Sequence, residues 1–259
     1  LGHLPWRGVV HQCYRDSTAG SAVLASMITL HRGIGSYRNK VTRYIALNSF
    51  CRDKFIAGGL PQDKFSIKPN FINAIEPPSW AGRKGGLFVG RLSKEKGLDV
   101  LAEAVKFLPN NPLEVIGSGD MQGFAQSTFG KNYLGFQSLE VILAKMRNAA
   151  YLVVPSVWYE NFPRTIVEAF ACGLPVIASR IGALAEIIED GKTGLLFEAG
   201  NAKDLADKLA WAEAHIDEMM HMGMAARQEY EAKYTSERNY NMLLAIYDEA
   251  IKTVKSGLN

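Results

Sequence analysis

Two glutamates, Glu160 and Glu168, stand eight residues apart in the segment YENFPRTIVEAFACGLPVIAS, with Pro163 between them. Proline suits the first turn of a helix but not its interior, so we expect a helix from about Pro163 to Cys172 and a preceding loop that carries Glu160. Glu168 then lies about one turn into the helix, where its two oxygens can accept hydrogen bonds from two neighbouring hydroxyls, as on a ribose. Glu160 can reach hydroxyls on the far side of an anion held at the helix N-terminus. The helix dipole alone also favours a glutamate in this turn, which accounts for Glu168 but not for Glu160.

A second candidate loop, VGRLSKEKGLD, places Arg91 directly after a strand-like run that ends at Gly90, and Lys96 five residues further on. The guanidinium of Arg91 is a forked donor for phosphate oxygens, and Lys96 is a compact charge near the start of a predicted helix. Two cations beside the positive end of a helix predict an anion site. The alternative is a solvated loop in which Lys94 and Glu95 are ordinary surface charges.

The third candidate loop is VIGSGD, in which Gly117 and Gly119 would let a ligand approach the backbone closely. It lacks the third glycine of a dinucleotide fingerprint and the Lys-Ser/Thr pair of a phosphate loop, so a tight turn is the alternative. Ligands of open parallel sheets bind outside the carboxyl ends of the strands, and all three loops leave such ends. Their convergence at one edge of a sheet, rather than any single loop, predicts the site.

The elements that must position these loops alternate between short apolar strands and helical patterns. The predicted strands are GLFVG (86–90), LEVIG (113–117), YLVVPS (151–156) and PVIAS (175–179), with KNYLG (131–135) and TGLLF (193–197) as shorter candidates. The predicted helices are GLDVLAEAVKFL (97–108), SLEVILAKMRNA (138–149), RTIVEAFAC (164–172) and GALAEIIED (182–190). Continuous apolar strands alternating with helices are typical of an α/β fold with a parallel sheet covered on both faces.

The chain before residue 73 is predicted to be the end of a first α/β domain. DSTAGSAVLASMITLHR should form a helix that starts at Ser17–Thr18 and stops at Gly33, and SFCRDKFIAGG a helix capped at Ser49. RYIALN and KFSIKPN are predicted strands. NAIEPPSWAGRKGG is rich in Pro and Gly and without periodicity, which indicates a linker. From residue 201 onward the pattern is helical throughout.

Composition limits the classes of protein to consider. With 259 residues, 47% of them hydrophobic and 21% charged, the chain is of ordinary globular type and long enough for one and a half or two domains. No apolar run reaches the ~18 residues of a membrane span, and no signal peptide is recognisable. Cys13, Cys51 and Cys172 are far apart and form no CxxC pair, which favours a reducing compartment over a disulfide scaffold.

The net charge of +3 is unevenly distributed. Residues 1–84 hold 12 Lys and Arg against 4 Asp and Glu, whereas residues 85–259 hold 17 against 22. The basic first part suits anionic lipid or a phosphorylated acceptor, and a solvated basic face is the alternative. The chain opens with Leu-Gly-His rather than Met, so we expect an N-terminally truncated protein.

Five segments, in this order, resemble the retaining glycosyltransferases of family 4, whose nucleotide-sugar half carries a Glu-x7-Glu signature. They are GRLSKEKGLDVL, VIGSGD, YLGF, VPSVWYENFPRTIVEAFACGLPVIAS and GKTGLLFEAGNAKDLA, and the match runs from about Tyr44 to Glu249. The resemblance implies the GT-B fold, in which two Rossmann-like domains face each other across a cleft. It implies four parts: an incomplete acceptor-side domain (1–72), a linker (73–85), a complete Rossmann-like donor domain (86–232) and a C-terminal helix that crosses back to the first domain (233–259).

By matching position, the resemblance implies that Arg91 and Lys96 hold the donor diphosphate and that Glu168 binds the ribose hydroxyls. Glu160, with the backbone of residues 161–164, would contact the transferred sugar. Thr165 would help at the phosphate. The catalytic residues would be Glu160, Arg91 and Lys96, and the donor would be bound by Gly90, Gly117, Gly135, Phe136, Asn161, Phe162, Pro163, Arg164, Thr165 and Glu168, with Gly135 and Phe136 beside the base.

The reaction that the resemblance implies moves a sugar from a nucleotide-diphosphate sugar to a glycan or lipid-linked acceptor with retention of configuration. Front-face attack is expected, in which the departing phosphate helps to deprotonate the acceptor. No cofactor and no bound metal are expected in the donor site, because cations and a helix N-terminus would take over the charge of the leaving group. The expected pathway is the biosynthesis of cell-surface polysaccharide or glycolipid. The expected location is the cytoplasm or the inner face of the plasma membrane, and no nucleic-acid partner is expected.

The sequence departs from the family at its beginning. The family's first domain opens with a glycine-rich loop and supplies a His near the reacting sugar; this sequence has neither, and His3, His11 and His31 do not match that His. Some relatives carry a cysteine pair upstream of the position of Cys13, so Cys13 is either one member of a lost metal cluster or a free buried thiol. Two alternative functions stay open: a chain that binds nucleotide sugars without transfer, and a related GT-B enzyme that hydrolyses or epimerises them.

Overall fold

The chain divides into two compact units. The computed structural model describes residues 5–73, 75–76, 78–108 and 113–256. The first unit consists of Leu1–Lys68 with Asn241–Asn259, and the second of Pro69–Tyr240. Residues 74 and 77 of the predicted linker lie outside the described residues, and the rest of the linker belongs to the second unit. The assignment of acceptor and donor roles to the two parts stays a prediction.

The first unit contains a small parallel sheet and short helices. Its elements before residue 69 are α1 (Trp6–Val10), α2 (Thr18–Gly33), α3 (Ser36–Asn39), β1 (Tyr44–Ala46), α4 (Ser49–Ala57) and β2 (Phe65–Ile67). β1 and β2 pair in parallel, with Tyr44 beside Phe65 and their rings stacked 5.1 Å apart between centroids. Helix α2 begins and ends at the residues that the sequence predicts. Its start is capped by Ser17, whose hydroxyl accepts a hydrogen bond from the Gly20 N–H at 3.1 Å.

The predicted cap of α4 is wrong by one residue. Asn48, not Ser49, is the N-cap: its Oδ1 accepts a hydrogen bond from the Cys51 N–H at 2.8 Å, and Ser49 is the first helical residue. Both residue types are good caps, and the sequence SFCRDKF alone does not show that the preceding Asn takes the position. The outcome moves the helix start by one residue and leaves the order of elements unchanged.

The second unit is built on a five-stranded parallel sheet. Its strands are β3 (Gly86–Val89), β4 (Leu113–Ile116), β5 (Tyr151–Val154), β6 (Val176–Ser179) and β7 (Gly194–Phe197), in the order β4-β3-β5-β6-β7. Nearly every strand residue is buried, as expected for strands covered on both faces. The predicted parallel α/β architecture is confirmed for this unit.

One strand candidate in the second unit is wrong. In KNYLG, Gly130–Asn132 forms a single 3-10 turn, and Tyr133 makes an isolated bridge to Val115 of β4. β4 is the outer strand of the sheet on this side, so the chain pairs with it only briefly before it turns away. TGLLF, the other short candidate, is strand β7.

Helices cover the sheet on both sides. They are α5 (Leu98–Val105), α6 (Gln122–Phe129), α7 (Leu139–Asn148), α8 (Arg164–Ala171), α9 (Gly182–Ile187), α10 (Ala202–Ala214) and α11 (Ile216–Lys233). The last helix, α12 (Ser236–Ser256), begins in the second unit, and its residues from Asn241 onward belong to the first unit. Helix α6 has no counterpart among the helices predicted from the sequence, because its residues QGFAQSTF include Gly, Ser and Thr of low helix propensity. No helix within the described ranges is long and apolar enough to cross a membrane.

The C-terminal end of α8 is held by side chains from other parts of the second unit. Arg83, buried at 8% exposure, donates to the carbonyl oxygens of Cys172 at 2.7 Å and Gly173 at 3.1 Å. The guanidinium of Arg227 on α11 donates to the carbonyl of Ala171. Unpaired carbonyls at the end of a helix need donors, and cations there complement the helix dipole. These contacts fix α8, and with it the loop that leads into the helix.

Candidate functional site

The loops after β3 and β5 flank the topological switch point of the sheet. β3 and β5 are neighbours, yet the chain continues from β3 to β4 on one side and from β5 to β6 on the other. Open α/β sheets bind ligands in the crevice that forms outside the strand ends at such a point. The loop after β3 carries Arg91 and Lys96, and the loop after β5 carries Glu160. The switch point therefore coincides with the charged residues that the sequence singles out.

Backbone hydrogen bonds join the three candidate loops. The N–H of Leu92 donates to the carbonyl of Ser118 at 2.9 Å, and the carbonyl of Leu92 accepts from the N–H of Met121 at 3.0 Å. On the opposite side, the N–H of Val157 donates to the carbonyl of Glu95 at 3.0 Å. The loop after β3 is thus fixed between the loops after β4 and β5.

Gly117 is explained by the contact between two of these loops. A β-carbon at this position would lie 1.8 Å from the carbonyl oxygen of Gly90, and its φ of +148° is one that other residues rarely adopt. Its N–H donates to the carbonyl of Gly135 at 2.9 Å, and its carbonyl accepts from the Tyr133 hydroxyl at 3.1 Å. Close approach of protein backbone, rather than of a ligand, accounts for this glycine.

Lys96 and Glu160 form an ion pair across the switch point. Nζ of Lys96 lies 2.6 Å from Oε1 of Glu160, and the Ser156 hydroxyl donates to the same oxygen at 2.7 Å. The two charged side chains are only 27% and 18% exposed. Gly97, at φ +69°, lets the chain after Lys96 pass so close to Pro155 that a β-carbon would lie 1.8 Å from its carbonyl oxygen. A cation and a carboxylate that the sequence assigns to different parts of a ligand are therefore in direct contact.

Arg91 is also paired with a carboxylate, that of Glu95 four residues on. The pKa of Glu95 is lowered, first by a hydrogen bond with its own backbone and further by the charges of Arg91 and Lys96. Glu95 therefore interacts with both predicted cations of the site. The alternative interpretation, in which Glu95 is an ordinary surface charge, does not account for these interactions. Arg91, Lys96, Glu95 and Glu160 together carry no net charge, so an anion that binds here must share the cations with their carboxylates.

Glu168 lies on α8 and is buried, with 8% of its surface exposed. Burial raises the pKa of its carboxyl group, and the charge of Arg164, one turn earlier on the helix, acts in the opposite direction. Within the described part of the chain, its carboxylate makes no hydrogen bond. The carboxylate oxygens of Glu168 are not among the fully buried side-chain atoms that lack a partner, so they still reach solvent and are open to the hydroxyls of a ligand.

The loop before α8 is anchored by Phe162. Its ring is buried and packs edge-on against Tyr234, 5.7 Å away between centroids, and its carbonyl accepts from Nδ2 of Asn70 at 3.2 Å. The Phe162 side chain therefore faces the protein interior. Pro163 is the N-cap of α8, so the helix begins one residue later than predicted. The other predicted residues of this segment are exposed or half-buried: Asn161, Arg164 and Thr165.

Phe136 is an exposed aromatic ring next to the loop after β4. It is 78% exposed and follows Gly135, whose φ is +69° and whose carbonyl bonds to Gly117. An exposed ring face can stack on a planar base. At Gly90, the N–H donates to the carbonyl of Ile116 at 3.1 Å, and a β-carbon would find no atom closer than 3.6 Å. A β-carbon at Gly90 would therefore make only ordinary van der Waals contact with the Phe88 ring.

The N-terminal histidines and Cys13 belong to the first unit. His11 and Cys13 are exposed, and Nδ1 of His31 lies 3.0 Å from the Ser36 hydroxyl; His3 lies outside the described residues. Cys13, Cys51 and Cys172 are free thiols. Over residues 5–73, 75–76, 78–108 and 113–256, no three His, Cys, Asp or Glu side chains are grouped as a metal site requires.

Three contributors to the site were not predicted. Ser156 directly follows β5, at the strand end where ligands of parallel sheets bind, so its position was a usable signal. Glu95 stands four residues from Arg91, which is the spacing of a local ion pair. Asn70 holds the Phe162 carbonyl from 92 residues away along the chain, and no local pattern predicts such a contact.

The chain is similar in sequence to known glycosyltransferases. A family model described as "Glycosyl transferases group 1" matches residues 81–229. An uncharacterized glycosyltransferase of Methanocaldococcus jannaschii is 34% identical over 170 residues, which cover 63% of this chain and 48% of that protein. Phosphatidyl-myo-inositol mannosyltransferase of Mycobacterium leprae is 28% identical over 257 residues, which cover 93% of this chain and 67% of that protein.

A solved structure shows the same fold. The Anabaena protein HepE in complex with UDP-glucose superposes with a TM-score of 0.69 at 19% identity, over 93% of this chain and 69% of that one. The GT-B fold class expected from the sequence is thereby confirmed. The chain spans about half the length of the first curated relatives that it matches. The activity, substrates and partners of the whole protein are therefore matters of proposal.

Proposed function

Because the chain belongs to the group 1 glycosyl transferases, we propose that it moves a sugar from a nucleotide-diphosphate sugar to a glycan or lipid-linked acceptor, with retention of configuration. We place this reaction in the biosynthesis of cell-surface polysaccharide or glycolipid. HepE was solved with UDP-glucose, which supports a nucleotide-sugar donor. The relative from Mycobacterium leprae is named for phosphatidyl-myo-inositol, which supports a lipid-linked acceptor.

The ion pair between Lys96 and Glu160 carries the proposal. In a nucleotide sugar, the anomeric carbon of the sugar is bonded directly to an oxygen of the diphosphate. The groups that bind the phosphate and those that bind the sugar hydroxyls must therefore lie close together. A cation and a carboxylate 2.6 Å apart at the switch point meet that requirement. Lys96 would turn to the phosphate and Glu160 to the sugar, each exchanging its partner for a ligand group. Ser156 would keep Glu160 in place during the exchange.

Each part of the donor has a proposed binding group. Arg91 and Lys96 hold the diphosphate, with the backbone N–H groups at the start of α8 and the Thr165 hydroxyl. Glu168 accepts hydrogen bonds from the ribose hydroxyls, and Phe136 with Gly135 lies beside the base. The positive side chains and the amide groups at the helix N-terminus stabilise the negative charge that develops on the leaving diphosphate. We therefore propose that the donor site works without a bound metal or cofactor.

Retention follows from attack and departure on the same face of the sugar. The acceptor oxygen forms a bond to the anomeric carbon as the bond from that carbon to the diphosphate oxygen breaks. The acceptor's proton passes to the departing phosphate. Glu160 and the backbone of residues 161–164 hold the sugar while this occurs.

The first unit carries an exposed apolar stripe on its helix α2. Three exposed apolar residues of α2 and its C-cap residue Ile34 recur at helical spacing and form what we call the α2 stripe: Val23, Met27, Leu30 and Ile34. Residues 1–68 hold 10 Lys and Arg against 3 Asp and Glu. An exposed apolar stripe amid positive charge suits an interface with anionic lipid. We propose peripheral binding at the inner face of the plasma membrane through this stripe.

A thermal-shift screen of nucleoside diphosphates and nucleotide sugars tests the function. The cognate donor should raise the melting temperature, because a ligand that binds only the folded state stabilises it by mass action. The hit is then incubated with and without candidate acceptors. Product formation supports transfer, binding without product supports a donor-binding chain, and nucleotide release without acceptor supports a hydrolase or epimerase. If neither melting temperature nor calorimetry responds to any nucleotide, the assignment is wrong.

A further inference from the structure

The three most exposed large apolar side chains of the second unit lie at one edge of its sheet. Among the described residues of this unit, Phe136, Trp158 and Tyr159 have the highest exposed fractions, 78%, 70% and 62%. Phe136 follows the segment that runs alongside the end of β4, and the other two lie in the loop after β5. Both segments leave the carboxyl ends of parallel strands, where ligands bind. The proposed function places the base beside Phe136 and uses neither of the other two rings.

The loop that carries Trp158 is held on both sides of this residue. Directly before it, the N–H of Val157 donates to the carbonyl of Glu95 in the loop after β3, at 3.0 Å. The hydroxyl of Ser156 donates to Oε1 of Glu160 at 2.7 Å, which ties the residue two positions before Trp158 to the residue two positions after it. The backbone at Trp158 is therefore fixed next to the Glu160 carboxylate.

The same loop is anchored again before α8. The Phe162 ring is buried and packs against Tyr234, and the Phe162 carbonyl accepts from Nδ2 of Asn70 at 3.2 Å. Over the part of the chain that the structure describes, the Trp158 indole makes no hydrogen bond, ring stack or cation–π contact. An exposed indole on an anchored loop is a preformed apolar surface, because little further ordering is needed when a ligand covers it.

We propose that Trp158 binds the C–H face of a pyranose ring whose hydroxyls are bound by Glu160. A pyranose carries hydroxyls around its edge and C–H groups on its faces. A carboxylate and an aromatic ring on one fixed loop suit these two kinds of surface. The pyranose is the transferred sugar of the donor or a sugar of the acceptor, and the experiments separate these two sources. The choice of a sugar as the ligand rests on the proposed function, whereas the display of Trp158 does not.

Contact with sugar is measured without any enzymatic activity, through the indole N–H signals of the four tryptophans in nitrogen-15 NMR spectra. Trp158→Phe assigns the Trp158 signal. Methyl pyranosides and oligosaccharides of glucose, galactose and mannose, and UDP-glucose, are added in turn at millimolar concentration. One or more of them should shift the Trp158 signal and leave that of Trp80, whose indole N–H is bonded to the Gly173 carbonyl. The proposal is overturned if no sugar moves the Trp158 signal, or if only vesicles of anionic phospholipid move it.

The source of the pyranose is determined with Trp158→Ala, which should melt at the temperature of the unaltered protein because the ring is exposed. If Trp158 covers the transferred sugar, calorimetry should show UDP-glucose binding weakened by roughly 5- to 10-fold, as expected for about 50 Å² of apolar surface left uncovered. UDP binding should stay within about twofold. If Trp158 covers the acceptor sugar, both affinities should be kept, and the KM for the acceptor should rise by roughly the same factor at constant kcat.

Phe107→Ala is the matched control, because Phe107 is also an exposed ring and follows α5, which leads to the opposite edge of the sheet. It should change none of these values, and Trp158→Phe should retain most of the affinity because it keeps an aromatic face. Equal UDP-glucose affinity and equal acceptor KM in Trp158→Ala and the unaltered protein would overturn the proposal, even where free sugars move the NMR signal. If UDP does not bind the unaltered protein, the failure belongs to the proposed donor, and the NMR titration alone decides the inference.

Discussion

Nζ of Lys96 lies 2.6 Å from Oε1 of Glu160, and this contact joins the loops after β3 and β5 at the switch point of the sheet. Each residue partly neutralises the other, so the site without ligand is not the cluster of free cations that the loop sequence suggests. Replacement of one partner should then have a different effect on ligand binding from replacement of the other.

Lys96→Ala should weaken binding of the cognate nucleoside diphosphate by roughly 10- to 150-fold, since a hydrogen bond to a charged group contributes about 1.5–3 kcal/mol. Calorimetry at constant ionic strength is the measurement. Lys94→Ala is the matched control, because Lys94 is an exposed lysine of the same turn. It should change affinity by less than about twofold, as expected for an exposed charge. Equal losses in the two variants would mean that general positive charge, and not the position of Lys96, binds the diphosphate.

Glu160→Gln should separate binding from transfer. The amide keeps the shape of the side chain but removes the charge that holds Lys96, so affinity for the nucleoside diphosphate should stay constant or increase. Transfer should fall by at least about 100-fold, as when one stabilising group at a reacting centre is removed. Calorimetry and a product assay on the same preparation give the two values. A loss of diphosphate affinity as large as that of Lys96→Ala would contradict the proposed division of roles.

Glu95→Gln should give a stability difference that depends on pH. The pKa of Glu95 is lowered in the fold from its ordinary value of 4.5, so its ionised form stabilises the protein above that value. The stabilisation is lost as the pH falls through the lowered pKa, because the carboxyl then protonates in the folded state too. The free energy of unfolding in urea should therefore be lower for the variant at about pH 7, and the difference should shrink as the pH is lowered below 4.5. A difference that grows on acidification would show that Glu95 is not held ionised.

The sequence predicted the sheet because the signal is local and repeated. Short apolar runs such as YLVVPS and PVIAS alternate with amphipathic helices, and buried parallel strands impose that pattern. The three loops also follow from it, since each directly leaves a strand. Where the pattern is weak, as in KNYLG, the predicted strand is wrong. This segment makes only an isolated bridge to the outer strand β4 and does not extend the sheet.

The partners within the site could not be predicted in the same way. Lys96 and Glu160 are 64 residues apart, and the spacing of charges along a loop does not show which carboxylate a lysine will meet. Gly117 looked like an opening for a ligand, and only the position of the Gly90 carbonyl shows that another loop occupies the space. Contacts of this kind depend on how loops from different strands pack, which a local pattern does not contain.

Gly117→Ala should destabilise the second unit. A β-carbon there would lie 1.8 Å from a backbone oxygen at φ +148°, so two loops must move apart. We expect a loss of at least about 2 kcal/mol and a melting temperature lower by roughly 5 °C or more. Gly123→Ala on α6 is the control, because a β-carbon there meets no atom within 4 Å. It should be neutral or stabilising by about 0.5 kcal/mol. Equal melting temperatures for both variants in differential scanning calorimetry would contradict the packing argument.

The α2 stripe should decide whether the protein binds anionic membranes. Val23→Asp with Leu30→Asp places two negative charges on a face whose residues are 72% and 61% exposed, so the fold should be unaffected while contact with lipid becomes unfavourable. Sedimentation with vesicles rich in anionic phospholipid should show binding of the unaltered protein that weakens as salt is added, and a several-fold weaker binding of the variant. Phe107→Asp, at an exposed apolar residue of the second unit, is the control for a new charge elsewhere and should bind like the unaltered protein. Salt-insensitive binding, or equal binding of all three proteins, would show that the stripe is not the membrane surface.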